Sequence, residues 1–289
     1  MWLTVESPVQ RLRRPGANAQ GGERVLITVG VHGNEQCGLV AVNQLAAEGF
    51  FEQLWAEDSK LSELTLMIGN PGAVKANARF VDVNLNRIFV DEAKVRSGGD
   101  SYEESLTPAL AEAIDQSTWY LDLHSTSAPT PCFCIPASAS SIAVSESLPV
   151  QYVLEELLCS LEGTTLHWAS RDAGRVAVCV ECGQHLEPES VDLAKSSIVQ
   201  FLAEAAGKVN PDRAAKHVLS CRETQPVRAG FRYPEGQIPH AFQHVKHGEL
   251  LALDDEGEIR CPFRNGTYLI MPTAHSIVGE EAWFWGLES

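Results

Sequence analysis

The stretch Val25–Val31, with the sequence VLITVGV, runs directly into His32-Gly33-Asn34-Glu35. A continuous run of apolar, mostly β-branched residues is typical of a buried central strand in a parallel sheet. Apolar residues then recur at helical spacing as far as Gly49, which predicts a helix that ends there. We therefore expect the histidine and the glutamate at the carboxyl edge of a sheet, where open α/β sheets bind ligands.

A second run of strand type, residues 118–123, leads into His124, with Asp122 two positions earlier. Two imidazoles and one carboxylate, with one position left for water, are the ligands of hydrolytic zinc sites. His32, Glu35 and His124 are thus candidate zinc ligands, and strand alternation puts Asp122 on the His124 face as a supporting partner. The residues also allow another interpretation, in which His32 is a core histidine beside a helix-capping glutamate.

Composition narrows the class of protein. The chain has 289 residues, 44% of them hydrophobic, and a net charge of −16, which disfavours binding to nucleic acid or to anionic membranes. It contains no apolar run near the roughly 20 residues of a membrane helix and no N-terminal pattern of a signal peptide. The eight cysteines are scattered, which favours reduced thiols and a cytoplasmic location. The sequence leaves homo-oligomer formation open.

Strand and helix patterns alternate over residues 24–206, which predicts a layered α/β domain. Helices are expected at 107–116, starting at Thr107-Pro108, at 149–162 and at 190–206; 164–168 is expected as a strand and 70–72 as a turn. Helical periodicity is lost beyond residue 210, and a hairpin is expected at 250–261. These patterns predict a catalytic domain at 1–209 and a small β-rich domain at 210–289.

Residues 70–89 carry Arg79, Asn86 and Arg87 in a stretch with little apolar pattern. Arginine forks bind carboxylates with two hydrogen bonds, and asparagine adds a directional amide. The stretch is therefore a candidate for binding an anionic substrate. A surface loop in which the arginines pair with Asp82 and neighbouring acids is the alternative, and spacing alone favours it.

Glu181 ends the otherwise uncharged strand pattern that begins at Val176. A carboxylate there is costly unless it has a partner or a chemical task. Beside a metal-bound water it would be the general base; otherwise it would pair with an arginine. Arg171, ten residues earlier in the sequence, is a candidate contact for a substrate carboxylate.

Two other histidine patterns are not expected to bind metal. Cys179, Cys182 and His185 have a metal-like spacing, but strand alternation sends the two cysteines to opposite faces, and a structural zinc site normally needs four ligands. Core and turn positions are the better interpretation. His240, His244 and His247 are expected in a solvated loop.

Four motifs in order resemble the succinylglutamate desuccinylase/aspartoacylase family, which is related to zinc carboxypeptidases. They are HGNE at 32–35, NP…R…NLNR-x-F within 70–89, DLHST at 122–126 and VECG at 180–183. The resemblance implies a zinc-carboxypeptidase-like layered domain with a central, mostly parallel or mixed sheet. It implies one zinc ion per chain held by His32, Glu35 and His124, with Glu181 activating water and Arg79 stabilising the oxyanion.

The resemblance also implies the substrate class, a small anionic N-acyl amino acid. Asn86 and Arg87 match positions that bind the amino-acid carboxylate, and Arg171 has the spacing from Glu181 of a further carboxylate-binding arginine. The implied reaction is hydrolysis of an amide such as that of N-succinylglutamate or N-acetylaspartate. A zinc carboxypeptidase acting on peptides and a non-catalytic protein that binds zinc and carboxylates are the alternatives.

Two departures from the family pattern concern the substrate. Asn84 stands where the family segment usually has aspartate. Aspartoacylases place a substrate-contacting tyrosine near the C-terminus, whereas no tyrosine follows Tyr268 in this chain. The motifs therefore indicate the metal chemistry more firmly than they indicate the acyl group or the amino acid.

Overall fold

The computed structural model describes residues 2–16, 21–55, 59–208, 216–273 and 277–288. Its strands are β1 (Val9–Arg13), β2 (Glu23–Val29), β3 (Leu61–Ile68), β4 (Trp119–Thr126), β5 (Phe133–Pro136), β6 (Tyr152–Glu155), β7 (Val176–Gln184), β8 (His217–Pro226), β9 (Gln243–Val245), β10 (Leu250–Asp254), β11 (Gly257–Arg260), β12 (Thr267–Ile270) and β13 (Glu281–Glu288). Its helices are α1 (Cys37–Ala47), α2 (Pro71–Ala76), α3 (Glu92–Ser97), α4 (Tyr102–Gln116), α5 (Ala139–Ser145), α6 (Thr165–Ala169) and α7 (Glu189–Ala205). None of these helices is long and apolar enough to cross a membrane.

One sheet of eleven strands organises the molecule, in the order β1-β3-β2-β4-β7-β5-β6-β8-β13-β12-β9. The neighbours β3, β2, β4 and β7 are parallel, so their carboxyl ends lie at the same edge. On either side, β1 pairs antiparallel with β3, and β5 antiparallel with β7. The expected α/β class with a mostly parallel, mixed central sheet is confirmed.

Both faces of the central strands are covered, which explains why their sequences are almost entirely apolar. Ile27 of β2 belongs to a buried cluster with residues of α1 and α7. Leu26, whose side chain points to the opposite face, is buried with residues of α4 and α6. The helices therefore sandwich the sheet and leave its carboxyl edge for the loops that carry polar residues.

The C-terminal region is rich in strands, as expected, and it extends the same sheet. Tyr152 of β6 pairs with His217 of β8 in parallel register, and β10 and β11 form the expected hairpin as a separate two-stranded sheet. A third buried cluster, centred on Trp283, fills this region. The division into two domains stays a prediction, and its boundary between 209 and 210 lies outside the described residues.

The helix expected at 149–162 is wrong, and so is the strand expected at 164–168. Residues 152–155 form β6 between β5 and β8, and a short 3-10 turn follows at Leu157–Ser160. Residues 165–169 form α6, capped by the Thr164 side chain, which accepts a hydrogen bond from the His167 backbone. In residues 152–155, pairing with two neighbouring strands outweighs the local helix propensity.

The helix start predicted at Thr107-Pro108 is also wrong. Helix α4 begins at Tyr102, where Ser101 and Glu104 form a capping box, and Pro108 lies inside the helix. Proline has no N–H for the Glu104 carbonyl four residues earlier. The Thr107 hydroxyl shares its hydrogen between that carbonyl, at 3.0 Å, and the Val95 carbonyl, at 2.9 Å, and the helix continues through the proline.

The turn expected at 70–72 is the start of helix α2. The Asn70 side chain accepts a hydrogen bond from the Ala73 backbone at 3.1 Å, and Pro71 occupies the first helical position, where its missing N–H costs nothing. The short helix then packs its backbone against the loop that follows β2.

Candidate metal centre

The loop after β2 places His32 and Glu35 at the carboxyl edge of the sheet. A tight approach to α2 requires glycine between them, because a Cβ atom on Gly33 would lie 2.0 Å from the Ala73 carbonyl carbon. The Gly33 backbone also donates to the Arg79 carbonyl at 3.3 Å. The HGNE motif thus reflects a backbone contact as well as a ligand spacing.

His32, Glu35 and His124 come together at this edge, and all three are buried. Glu35 Oε1 lies 3.0 Å from His32 Nδ1, and Glu35 Oε2 lies 2.9 Å from His124 Nδ1. One ligand atom from each residue lies within 4.8 Å of the others. The His32 Nδ1 atom is buried, and the Glu35 carboxylate is its polar contact. Three converging donors of this type fit a divalent transition metal.

The metal-free cluster is a tightly coupled set of charges. Burial lowers the pKa of His32 below its usual value. For Glu35, the opposing effect of burial is outweighed by the hydrogen bonds with His124 and His32, so its pKa falls well below the ordinary range. Burial also opposes protonation of His124, but the carboxylates of Asp122 and Glu35 raise its pKa well above the usual value. An anionic Glu35 between two imidazoles is a ready ligand for a cation.

Asp122 supports the second histidine, as strand alternation predicts. Its Oδ2 lies 3.1 Å from His124 Nε2, on the side of the ring away from Glu35. Asp122 is itself held by the hydroxyls of Thr28 and Thr165, each donating at 2.6 Å. A carboxylate behind a ligating imidazole orients the ring and raises its basicity as a ligand.

Glu181 lies on β7 in register with His124 on β4. Its Oε2 atom is buried and has no hydrogen-bond partner among the described residues. Burial raises the pKa of Glu181 to about 8, and the Glu35 carboxylate contributes, while His124 acts in the opposite direction. A group whose pKa lies near neutral can exchange protons there, accepting one as the carboxylate and returning it as the carboxylic acid.

Arg79 reaches the cluster from the solvent side. Its Nη1 lies 3.1 Å from Glu35 Oε1, and about half of the side chain is exposed. The guanidinium group can therefore contact both the metal ligand and a molecule that enters the site.

The loop that carries Arg79 is anchored by a buried carboxylate that the sequence did not reveal. Glu103 accepts hydrogen bonds from the backbone N–H groups of residues 81, 82 and 83, at 2.6, 2.9 and 3.0 Å, and from the Asn70 side chain at 2.9 Å. These bonds outweigh the effect of burial and lower the pKa of Glu103. In sequence, Glu103 is an ordinary acidic residue in a first helical turn, so no local signal identified this role.

Asn86 and Arg87 lie on the 3-10 turn Leu85–Arg87. The Asn86 side chain accepts a hydrogen bond from the Thr165 backbone at 2.9 Å. Arg87 donates to the Asn86 carbonyl at 2.7 Å. Burial lowers the pKa of Arg87, and the nearby positive charge of Arg79 lowers it further. The two arginines thus bring positive charge to one part of a strongly acidic protein.

Arg171 has other partners in this structure. It forms an ion pair with Glu92, and its guanidinium carbon lies 4.1 Å from the ring centre of Trp168. The Trp168 indole donates to Asp115, which lies near the amino end of β4 and not at the carboxyl edge. The structure therefore does not bring Arg171 to the cluster, and its role in substrate binding stays a prediction.

The cysteines of the rejected metal spacing lie where expected. Cys179 is buried on the face covered by α4 and α6, and Cys182 on the face covered by α1 and α7. Among the described residues, the only group of His, Cys, Asp and Glu side chains close enough to share a metal ion is His32, Glu35 and His124.

The family model of the succinylglutamate desuccinylase/aspartoacylase catalytic domain matches residues 21–204. The chain belongs to this family. It is 25% identical over 276 residues to a succinylglutamate desuccinylase of Serratia proteamaculans, covering 89% of this chain and 80% of the relative. It is 29% identical over 244 residues to a probable aspartoacylase of Parasynechococcus marenigrum, covering 80% and 69%.

Solved structures of the family share the fold. A succinylglutamate desuccinylase structure from Vibrio parahaemolyticus superposes with a TM-score of 0.74 at 18% identity, covering 98% of this chain and 86% of that chain. Murine aminoacylase 3 superposes with a TM-score of 0.64 at 18% identity, covering 93% and 96%. These superpositions cover nearly the whole chain, so the shared fold extends beyond the residues that the family model matches.

Proposed function

We propose that this protein hydrolyses the amide bond of an N-acyl amino acid, of the N-succinylglutamate or N-acetylaspartate type, with one zinc ion held by His32, Glu35 and His124. The observation that carries the proposal is the buried His-Glu-His cluster with a protonatable carboxyl group, Glu181, on the adjacent strand. Family membership supports the reaction class, because relatives are named succinylglutamate desuccinylase and aspartoacylase.

Zinc in such a site acidifies water and polarises a carbonyl group. Glu181 is the proposed proton acceptor for the attacking water and the donor to the leaving amine. Its raised pKa suits both tasks, because the same group must release and take up a proton near neutral pH. Its place in register with His124, on the next parallel strand, puts it at the same edge of the sheet as the cluster.

The arginines supply the positive charge that an anionic substrate needs. Arg79 is the proposed donor to the developing oxyanion, since it already reaches the cluster. Arg87, with Asn86 on the same turn, is the proposed site for the amino-acid carboxylate. Arg171 is proposed as a second carboxylate contact because of the family resemblance. Since it lies away from the cluster in this structure, the contact requires that it leave Glu92 and that its segment move towards the carboxyl edge of the sheet.

The test combines metal analysis with a release assay over acetyl, succinyl and formyl derivatives of aspartate, glutamate and neutral amino acids. We expect about one zinc per chain and turnover of one acyl-acidic substrate. Glu181→Gln should keep the zinc and lose activity by about 10²–10⁴-fold. Glu189→Gln, an exposed change of the same type on α7, is the matched control. Zinc binding without turnover of any derivative would refute the proposed reaction.

The Arg171 contact has its own test. Arg171→Ala should raise KM for dicarboxylic N-acyl amino acids about tenfold, equivalent to about 1.4 kcal/mol, and leave neutral derivatives unchanged. An unchanged KM for the dicarboxylic substrates would show that Arg171 stays with Glu92. The cytoplasmic location inferred from composition remains a prediction.

A further inference from the structure

The side chain of Asn84 links the metal cluster to the segment that carries Asn86 and Arg87. Its Oδ1 lies 3.1 Å from His32 Nε2. The same oxygen accepts a hydrogen bond from the Asn86 backbone N–H at 3.0 Å. One carboxamide oxygen thus joins a metal ligand to the proposed carboxylate-binding turn.

These two contacts constrain where the hydrogens lie. A backbone N–H can only donate, so the Asn84 atom that faces Asn86 must be the oxygen and not the NH₂ group. The same oxygen faces His32 Nε2, and a carboxamide oxygen can only accept, so this contact is a hydrogen bond only when His32 carries a proton on Nε2. In neutral imidazole the other nitrogen, Nδ1, then has a free lone pair.

His32 Nδ1 is buried and faces Glu35 Oε1 at 3.0 Å. In the metal-free protein this carboxylate competes with Asn84 for the proton of the neutral ring, and a cation bound at Nδ1 would remove that competition. We propose that Asn84 is a positioning residue that holds His32 in the Nε2–H tautomer for metal binding and couples this ligand to the turn bearing Asn86. The inference rests on the proposed metal site and adds a residue to it.

An asparagine suits this position because it accepts a hydrogen bond without adding charge. Glu35, Asp122 and Glu181 already surround the two imidazoles, and the proposed substrate is an anion. An aspartate at position 84, as the family segment usually has, would also hold the tautomer, but it would add negative charge next to Arg87. The neutral partner leaves more of that arginine's positive charge for a substrate carboxylate.

The first measurement is the tautomer of His32 in the metal-free protein. The ¹⁵N and ring-proton correlations of ¹⁵N-histidine-labelled protein distinguish the two tautomers, and His32→Gln assigns the signals. We expect a larger population of the Nε2–H tautomer of His32 in the unmodified protein and in Asn84→Asp than in Asn84→Ala, where the Glu35 carboxylate draws the proton to Nδ1.

The second measurement is zinc affinity by competition with a chromophoric chelator. We expect Asn84→Ala to weaken zinc binding about 10–100-fold, the usual cost of losing a group that orients a ligand, whereas Asn84→Asp keeps the affinity. Asp91→Ala is the matched control. It also removes a side chain that caps a helix, through a 3.2 Å bond from the Lys94 backbone, but it touches no proposed ligand.

Three outcomes would overturn the inference. They are an unchanged zinc affinity in Asn84→Ala, an equal loss of zinc affinity in Asn84→Ala and Asn84→Asp, or a loss in Asp91→Ala as large as that in Asn84→Ala. Neither measurement depends on turnover, so an unmodified protein that binds zinc but hydrolyses nothing would refute the proposed reaction and leave this test intact. An unmodified protein that binds no zinc would refute the metal site itself.

Discussion

Glu181→Gln makes a quantitative prediction for the stability of the metal-free protein. Burial raises the pKa of Glu181 from 4.5 to about 8. At 1.36 kcal/mol for each pKa unit, the folded protein disfavours the ionised carboxylate by about 5 kcal/mol relative to the unfolded chain. Glutamine has nearly the same shape as the protonated carboxyl group and never ionises, so the variant avoids this cost.

The direction in which stability changes with pH follows from which state, folded or unfolded, holds the proton. Below pH 4.5 the carboxyl group is protonated in the folded and the unfolded chain, and it contributes no pH dependence. Between pH 4.5 and about 8 the unfolded chain loses the proton while the folded protein keeps it. Stability of the unmodified protein therefore falls with rising pH over this range, and the loss is complete above about pH 8.

Denaturant unfolding of chelator-treated protein, measured from pH 5 to pH 9, provides the assay. The Glu181→Gln protein should gain stability over the unmodified protein as the pH rises, and the difference should reach at most about 5 kcal/mol at pH 9, because the Glu181 side chain is only partly buried and solvent screens part of the shift. Titrating groups remote from the metal cluster contribute equally to both proteins and cancel in the difference. Glu189→Gln, on the exposed surface of α7, should show no such trend. A difference between the Glu181→Gln and unmodified proteins that stays constant with pH would refute the buried, proton-holding state of Glu181.

Further predictions concern the groups around the cluster. Thr165→Val removes a hydroxyl that donates to buried Asp122 at 2.6 Å. Losing this hydrogen bond to a charged group should lower the free energy of unfolding by about 1.5–3 kcal/mol in denaturant unfolding, and a neutral outcome would mean that water replaces the hydroxyl. Gly33→Ala should abolish zinc binding, checked by metal analysis, because its Cβ would lie 2.0 Å from the Ala73 carbonyl carbon; normal zinc content would refute the tight approach. Glu103→Ala should lower the free energy of unfolding by several kcal/mol, because it loses charge-assisted hydrogen bonds worth about 1.5–3 kcal/mol each. Glu103→Gln should lower it less. Equal losses of stability in the two variants would argue against a role for the charge.

The local sequence pattern was enough to predict the central strands and the motif residues at their ends. The apolar run before His32 and the run before His124 each form a strand buried on both faces, and parallel pairing brings their carboxyl ends together. Helix α7 was also predictable, because its apolar stripe has helical spacing over many residues. In these segments local preference and tertiary packing agree.

Tertiary structure decided the segments whose pattern was short or ambiguous. Residues 149–162 have helical spacing, but Val153 and Leu154 lie in the sheet between β5 and β8, where both side chains are fully buried. Burial and strand pairing there stabilise the chain more than a local helix would. The start of α4 was missed because Pro108 is a strong local signal, and the compensating hydroxyl of Thr107 becomes visible only in the folded helix.

The same division holds for the candidate site. The sequence determined which residue types stand at the strand ends, and so indicated His32, Glu35, His124 and Glu181 as a metal and proton-transfer set. It did not determine which polar groups support them. The anchoring by Glu103 and the hydrogen bond of Asn84 join positions 20–52 residues apart, and the partners of such a bond depend on the three-dimensional path of the chain rather than on any local pattern.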